Sequence, residues 1–302
     1  MSGLRDALLG WYARAGRADL PWRLRRDPYF TVVSEFMLQQ TQVDRVVPKF
    51  AAFVARFPGF AALAAASVAD VVREWKGLGY NSRAVRLKRL AEVVVAEHGG
   101  AMPRDPAQLR ALPGIGPYTA SAVRAFAYDE DDAACDVNVR RVVHRLFYGI
   151  EFPPQAGDRV LDARALTAVP PGMAHDWNSA MMDLGATVCT ARAPKCGICP
   201  VAGFCAAAPV DAVALEAARK RFARPLSAQA ALRFEETTRF ARGRIVDRLR
   251  DLPPGAGISL LDLHRELTPV LGGRSIDEVG GVVGALVRDG LVEGDDEFRL
   301  RS

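Results

Sequence analysis

Four of the chain's five cysteines, Cys189, Cys196, Cys199 and Cys205, fall within 17 residues in the spacing Cys189-x6-Cys196-x2-Cys199-x5-Cys205. Four thiolates this close form a ligand set for a [4Fe–4S] cluster or for a structural zinc ion. The spacing does not choose between them, although zinc sites usually bring two Cys-x2-Cys pairs and this stretch has one. Arg192 and Lys195 lie between the first two thiols, where a bound metal would hold both cations outward, toward phosphates. The fifth cysteine, Cys135, reads as a buried free thiol.

Leu112-Pro113-Gly114-Ile115-Gly116 lies between two helical patterns. Gly114 and Gly116 can adopt backbone angles closed to other residues. The next helix would present free N–H groups at its start, which favours an anion. Such a turn is either a helix-hairpin-helix, which grips one DNA phosphate without reading sequence, or a plain tight turn between helices. Two carboxylates stand out beside it. Glu35 sits in the apolar run Val32-Val33-Ser34-Glu35-Phe36-Met37-Leu38, where burial would keep a proton on it. Asp136 precedes Val137-Asn138-Val139, near the start of a helix. A carboxylic acid for the leaving group and a carboxylate for a developing sugar cation are what glycosidic cleavage needs. Taken singly, each also fits a helix cap or a surface acid.

Helices must position these groups. From residue 4 to about 205, apolar residues recur at three and four, as in Val32, Val33, Phe36 and Met37, then Val43, Val46 and Val47. Gly and Pro pairs punctuate the pattern every 10–20 residues, and alternating strand patterns are scarce. Residues 208–237 read as a linker with one helix. Residues 238–302 read as a small separate domain. Its three helices hold Phe240 to Leu252, Leu260 to Leu263 and Ile276 to Val287, and a β-hairpin surrounds Gly294-Asp295-Asp296-Glu297. That outline is winged-helix-like, suited to DNA contact or to a protein partner that the sequence does not identify; its acidic third helix, with Asp277 and Glu278, is not basic.

The chain has 302 residues, 50% of them hydrophobic and 25% charged, with a formal charge of +5. This suits a globular protein and permits, without requiring, a nucleic-acid partner. No apolar leader and no run of about 18 apolar residues is present, so membrane association is not expected and the cytoplasm is. His98, His144, His175 and His264 are dispersed and carry no role. The run Asp129-Glu130-Asp131-Asp132 reads as a solvated loop, and Arg83, Arg86, Lys88 and Arg89 as a solvated helix face or a phosphate contact.

Together these residues resemble the adenine DNA glycosylases (MutY type) of the endonuclease III superfamily. The resemblance spans about residues 4–207. It rests on Leu20-Pro21-Trp22-Arg23, Ser34-Glu35-Phe36-Met37-Leu38-Gln39-Gln40-Thr41-Gln42-Val43, Gly77-Leu78-Gly79-Tyr80, Leu112 to Ala120, Asp136-Val137-Asn138-Val139-Arg140, and Ala180 to Ala186 running into the cysteines. It implies a mainly α fold of two lobes, a six-helix lobe at about 24–131 and a cluster lobe of 1–23 with 132–207. It also implies a [4Fe–4S] cluster rather than zinc, and a hairpin able to hold a monovalent cation as well. The implied substrate is mismatched double-stranded DNA, bound by a monomer, from which an extruded adenine opposite 8-oxoguanine or guanine is removed.

By the same resemblance Glu35 protonates the adenine and Asp136 stabilises the sugar cation, with Tyr118 and Asn138 beside them. Trp22 and Arg23 wall the base pocket. Gln40 is a wedge in the space the base leaves, flanked by Leu38, Gln39 and Thr41; Tyr80 and Asn81 form a second DNA-facing loop. Relatives that cut the strand carry a lysine where Tyr118 stands; a tyrosine forms no Schiff base, so hydrolysis alone is expected, with Lys88 or Lys195 as candidates for weak adventitious cleavage.

The chain departs from the pattern in three places. It shows no Nudix-like C-terminal domain, Asn81 replaces a second tyrosine, and Ser179 stands where many members have Gln or Glu. A thymine or uracil glycosylase of the same fold and a non-catalytic iron–sulfur DNA-binding protein are the competing readings.

Overall fold

The computed structural model describes residues 1–222 and 233–302. The helices are α1 (Ser2–Ala15), α2 (Pro28–Leu38), α3 (Val43–Arg56), α4 (Phe60–Ala65), α5 (Val68–Glu74) and α6 (Ser82–His98). They continue with α7 (Pro106–Ala111), α8 (Pro117–Ala122), α9 (Val137–Phe147), α10 (Asp158–Ala168), α11 (Ala174–Asp183) and α12 (Ala212–Arg221). The C-terminal elements are α13 (Thr238–Arg250), β1 (Ile258–Ser259), α14 (Leu260–Leu267), α15 (Ile276–Arg288), β2 (Val292–Glu293) and β3 (Glu297–Leu300). The chain is mainly helical, as its periodicity implies. Its small antiparallel sheet has the order β1-β3-β2; β1 lies between α13 and α14, and the β2–β3 hairpin follows α15, as in the winged-helix outline read from the sequence.

The described residues fall into two compact units. The first holds residues 1–32, 103–111 and 115–222, the second 33–102, 112–114 and 233–302. These boundaries differ from the expected lobes and from a separate C-terminal domain. The reason is pairing remote in sequence: Ala69 N–H donates to Arg301 C=O at 2.8 Å, and buried Arg250 donates to Val72 C=O at 3.0 Å. Of the expected linker, Asp211 caps α12 through two backbone N–H groups; residues 223–232 lie outside the described residues.

In the first unit α1 buries Leu4, Leu8 and Tyr12 against Val139, Val142, Val143 and Leu146 of α9 and Trp177, Ala180 and Met181 of α11. Gly185, just past α11, is small for a reason: a Cβ there would lie 3.1 Å from Asn138 Cβ on α9. In the second unit α6 is the central helix, with Leu87, Leu90, Ala91 and Val94 fully enclosed and α4 and α5 packed on it.

The 1–23 segment is fastened to the end of α11 by one carboxylate. Asp183 is 1% exposed and accepts from the Arg17 backbone N–H at 2.8 Å and from the guanidinium groups of Arg17 and Arg23. Burial alone would raise its pKa; the Arg23 and Arg17 contacts outweigh burial and hold the carboxyl below its usual range. The stability this adds is present above the unfolded carboxyl value and is lost as pH falls through the lowered folded value. Asp183→Asn, which leaves two guanidinium groups facing a neutral amide, is expected to cost about 3–5 kcal/mol at pH 7. In urea unfolding at a series of pH values the wild-type advantage should persist at about pH 5 and shrink below about pH 4. An advantage unchanged down to pH 2 would contradict this account.

Candidate active site and cluster loop

In the first unit the carboxylate is placed by a helix start. Asp136 has extended backbone angles and caps α9, its Oδ1 accepting from Asn138 N–H at 2.9 Å and Val139 N–H at 2.7 Å. Asn138 Nδ2 donates to the other oxygen, Oδ2, at 2.9 Å. Aspartate suits this position because its short carboxylate satisfies donors that the helix leaves unpaired. One turn on, Arg141 donates to Asn138 Oδ1 at 3.0 Å, to Gly185 C=O at 2.8 Å and to Cys189 C=O at 3.0 Å. Arg145, 1% exposed, reaches Thr190 C=O at 2.7 Å, Cys189 Sγ at 3.5 Å and the Glu151 carboxylate. One face of α9 thus runs by hydrogen bonds from Asp136 to the first cysteine of the loop. Burial pushes Arg141 down in pKa.

A π-helical turn, Leu184–Val188, delivers Cys189. Cys189, Cys196, Cys199 and Cys205 line one cavity with Arg145, Val188 and Pro194. Burial, reinforced by the neighbouring thiols, pushes Cys199 and Cys205 up. Four thiolates here therefore need a multivalent cation among them. Among the described residues no three His, Cys, Asp or Glu side chains close on a point that one metal ion would fill. Four cysteines lining one cavity are the all-thiolate donor set that an iron–sulfur cluster takes. Arg192 and Lys195 are exposed on this loop, as expected. Cys135 is a buried thiol pushed up to about 12 by desolvation, which makes it inert.

In the second unit Glu35 lies on the buried face of α2 at 9% exposure, beside fully enclosed Val32, Val33 and Met37. Beyond α2, Gln40 is exposed and has a left-handed backbone at φ 56°. Residues without glycine's freedom hold that conformation only when their surroundings enforce it. The enforcement comes from Arg83 of α6. Its guanidinium donates to the C=O of Phe36, Met37 and Gln39 at 2.6–3.0 Å, to Thr41 Oγ1 at 3.2 Å, and to the C=O of Leu78 and Gly79 at 3.0 Å. Burial lowers its pKa to about 10, so it remains charged at neutral pH. One cation therefore ties the Leu38–Thr41 loop to the Gly77–Asn81 loop. Tyr80, also left-handed at φ 45°, stacks near that guanidinium. Asn81 Oδ1 accepts from Arg250 at 2.7 Å.

Gly114 has φ 80°, and a Cβ there would lie 2.8 Å from the Phe36 ring on α2. Leu112 and Ile115 are buried on either side. Gly116 differs from expectation. Its φ of −91° is open to any residue and nothing lies within 4 Å of an added Cβ. It caps α8 without a side chain, so what glycine leaves there is bare backbone at the helix start.

Residues 33–157 match the HhH-GPD superfamily of base excision DNA repair proteins, and residues 189–205 the iron–sulfur binding domain of endonuclease III. The chain is 42% identical over 303 residues to an adenine DNA glycosylase of Mycolicibacterium smegmatis, covering 97% of this chain and 94% of the relative. It is 38% identical over 203 residues to a thymine/uracil-DNA glycosylase of Pyrobaculum aerophilum, covering 66% of this chain and 88% of that one. The solved structure of a thermostable thymine-DNA glycosylase matches with a TM-score of 0.62 at 31% identity, over 68% of this chain and 96% of that one. The chain belongs to the adenine DNA glycosylase family.

Several residues have partners or surroundings that the sequence reading did not anticipate. Arg23, expected on the wall of the base pocket beside the half-buried Trp22, has its guanidinium engaged by Asp183 and lying over Tyr12. Arg83 is no solvated face, and Lys88 is buried too, its ammonium held by Ala64 C=O and Glu92. The run 129–132 is a structural loop: Asp129 pairs with Arg26, and Glu130 and Asp132 pair with Arg124. Ser179 is fully enclosed, with no partner for its hydroxyl among the described residues. Half-buried Tyr118 sits in the first turn of α8. Arg141 and Arg145 escaped the sequence reading, and Arg83 was placed on a solvated or phosphate-facing surface, because nothing local distinguishes a buried arginine from a solvated one.

The two hairpin glycines give a direct contrast. Gly114→Ala forces a left-handed alanine against Phe36 and is expected to cost about 1–3 kcal/mol. Gly116→Ala meets no atom and should cost well under 1 kcal/mol. Denaturant midpoints of the two variants measure the difference; equal losses would show that Gly114 is not under the strain described.

Proposed function

We propose that this protein hydrolyses the N-glycosidic bond of a mispaired adenine in duplex DNA, opposite guanine or 8-oxoguanine, and leaves an abasic site. The observation that carries the reading is the buried carboxyl of Glu35 on an apolar helix together with the N-cap carboxylate Asp136 in a family of adenine glycosylases. A target base within a stacked duplex is out of reach, so it must be extruded first. Glu35, shielded from water, is suited to carry the proton that the leaving adenine takes. Asp136, fixed by three N–H donors, offers its carboxylate to the cation that develops on the sugar. Exposed Gln40, held in a strained turn by Arg83, is suited to fill the space the base vacates. The Gly114–Gly116 turn and α8 supply backbone N–H groups for a phosphate.

When bound, a [4Fe–4S] cluster fixes the 189–205 loop through its four cysteines and so presents Arg192 and Lys195 to the backbone. A reduced, cytoplasmic setting suits those thiols. The protein acts as a monomer in this reading. Tyr118 has no amine, so no Schiff base forms and the strand stays intact.

A panel of duplexes holding A·8-oxoguanine, A·G, T·G and U·G tests this under single-turnover conditions. Adenine release is expected, with none from the thymine or uracil pairs. Glu35→Gln and Asp136→Asn should each slow release by roughly 10²–10⁴-fold. Asparagine is as good an N-cap as aspartate, so α9 should survive the second change. Borohydride should trap no covalent complex. Full activity in both variants, or release confined to T·G and U·G, would refute the reading.

A further inference from the structure

Within the second unit a groove of about 800 Å³ opens between the Gly77–Ser82 loop and α13. Among the described residues five arginines line it, Arg45, Arg239, Arg242, Arg244 and Arg250, against one aspartate, Asp247. That aspartate accepts from both Arg244 and Arg250 at 2.7 Å, so one carboxylate faces two cations. Arg242 is held by Asp289. Arg239 is exposed and forms no ion pair among the described residues. Its guanidinium instead lies 4.0 Å from the centre of the Tyr80 ring and 5.4 Å from that of Phe234. A guanidinium stacked on aromatic faces keeps its N–H donors in its own plane, directed past the rings. Phe234 is half exposed yet fixed edge-on to Phe240, 5.5 Å between centres.

We propose that this groove is a second DNA-binding surface, in which Arg239 and Arg244 of α13 take phosphates of the duplex beside the Gly77–Asn81 loop. An excess of arginine alternating with exposed aromatic rings is the chemistry that tracks a nucleic-acid backbone. Continuity supports DNA as the occupant: Arg83 binds the Gly77–Asn81 loop to the Leu38–Thr41 loop, and Arg239 lies on the Tyr80 ring of the same loop. A strand held near Gln40 would therefore meet α13 next. Asn81 is turned away into Arg250, which leaves Tyr80 and Arg239 as the groups presented. The inference rests on the reading that duplex DNA is the ligand, but not on which base is removed.

The test measures binding without reaction. Full-length, cluster-loaded protein is titrated by fluorescence anisotropy against a duplex carrying a reduced abasic site opposite guanine, at several salt concentrations. Each phosphate contact contributes about 0.9 to the slope of log affinity against log salt. Arg239→Ala and Arg244→Ala should each lower the slope by about one, and the double variant by about two. The corresponding lysine variants should keep the slope, which separates lost charge from lost folding. Arg265→Ala, on exposed α14 of the same unit and paired with Asp262, should leave it unchanged. An unchanged slope in the alanine double variant, or an equal fall in Arg265→Ala, overturns the proposal. Because the duplex cannot react, failure to excise adenine and failure of this groove are read separately.

Discussion

The hydrogen bonds along α9 set the terms for the first unit. Asp136 must cap the helix, Asn138 must bridge to it, and Arg141 must hold Asn138 while its other nitrogens reach Gly185 and Cys189. Each member is fixed by the next, so none can move alone. Gly185 leaves room for this approach just beyond α11: a Cβ there would lie 3.1 Å from Asn138 Cβ. Burying Arg141 is costly, since desolvation lowers its pKa, and the cost is offset only if every carbonyl it faces stays in place. A cluster that folds the 189–205 loop supplies that constancy. The cysteine loop and Asp136 are therefore one mechanical assembly, although Cys189 lies 53 positions after Asp136 in the sequence.

Arg83 does the equivalent work in the second unit. Six acceptors surround its guanidinium, and they come from the end of α2 and from two loops that would otherwise be independent. Both loops carry a residue in a left-handed conformation, Gln40 and Tyr80. Strain of this kind persists where contacts over-determine the backbone, and here the contacts converge on one side chain. A lysine would not serve, because its single ammonium cannot present donors to so many carbonyls in a plane. The wedge position and the Tyr80 position are thus coupled through a residue that touches no DNA in the proposed mechanism.

Much of this was legible in the sequence, for physical reasons that also mark its limits. The cysteine spacing, the Leu112–Gly116 turn and the three C-terminal helices with their hairpin are local signals, written within a few turns of chain. Pairings remote in sequence were not legible. Arg17 meets Asp183 across 166 residues, and Arg23 joins the same carboxylate, a partner that no local pattern marks. The four-residue acidic run looked solvated because its partners, Arg26 and Arg124, are not adjacent to it in any periodic sense. Gly116 was read as a conformational necessity, whereas only Gly114 meets a ring that forbids a side chain.

The C-terminal elements show how the same limit bears on function. Their pattern reads as a free-standing module, yet Arg250 and the Arg301 carbonyl bind them to α5 and to Asn81 within one compact unit. A family member without a second tyrosine after Tyr80 has an asparagine whose amide oxygen fastens α13 instead. In the proposed groove the contact to the duplex is made by charge, and a contact to phosphate carries no information about the base opposite the lesion.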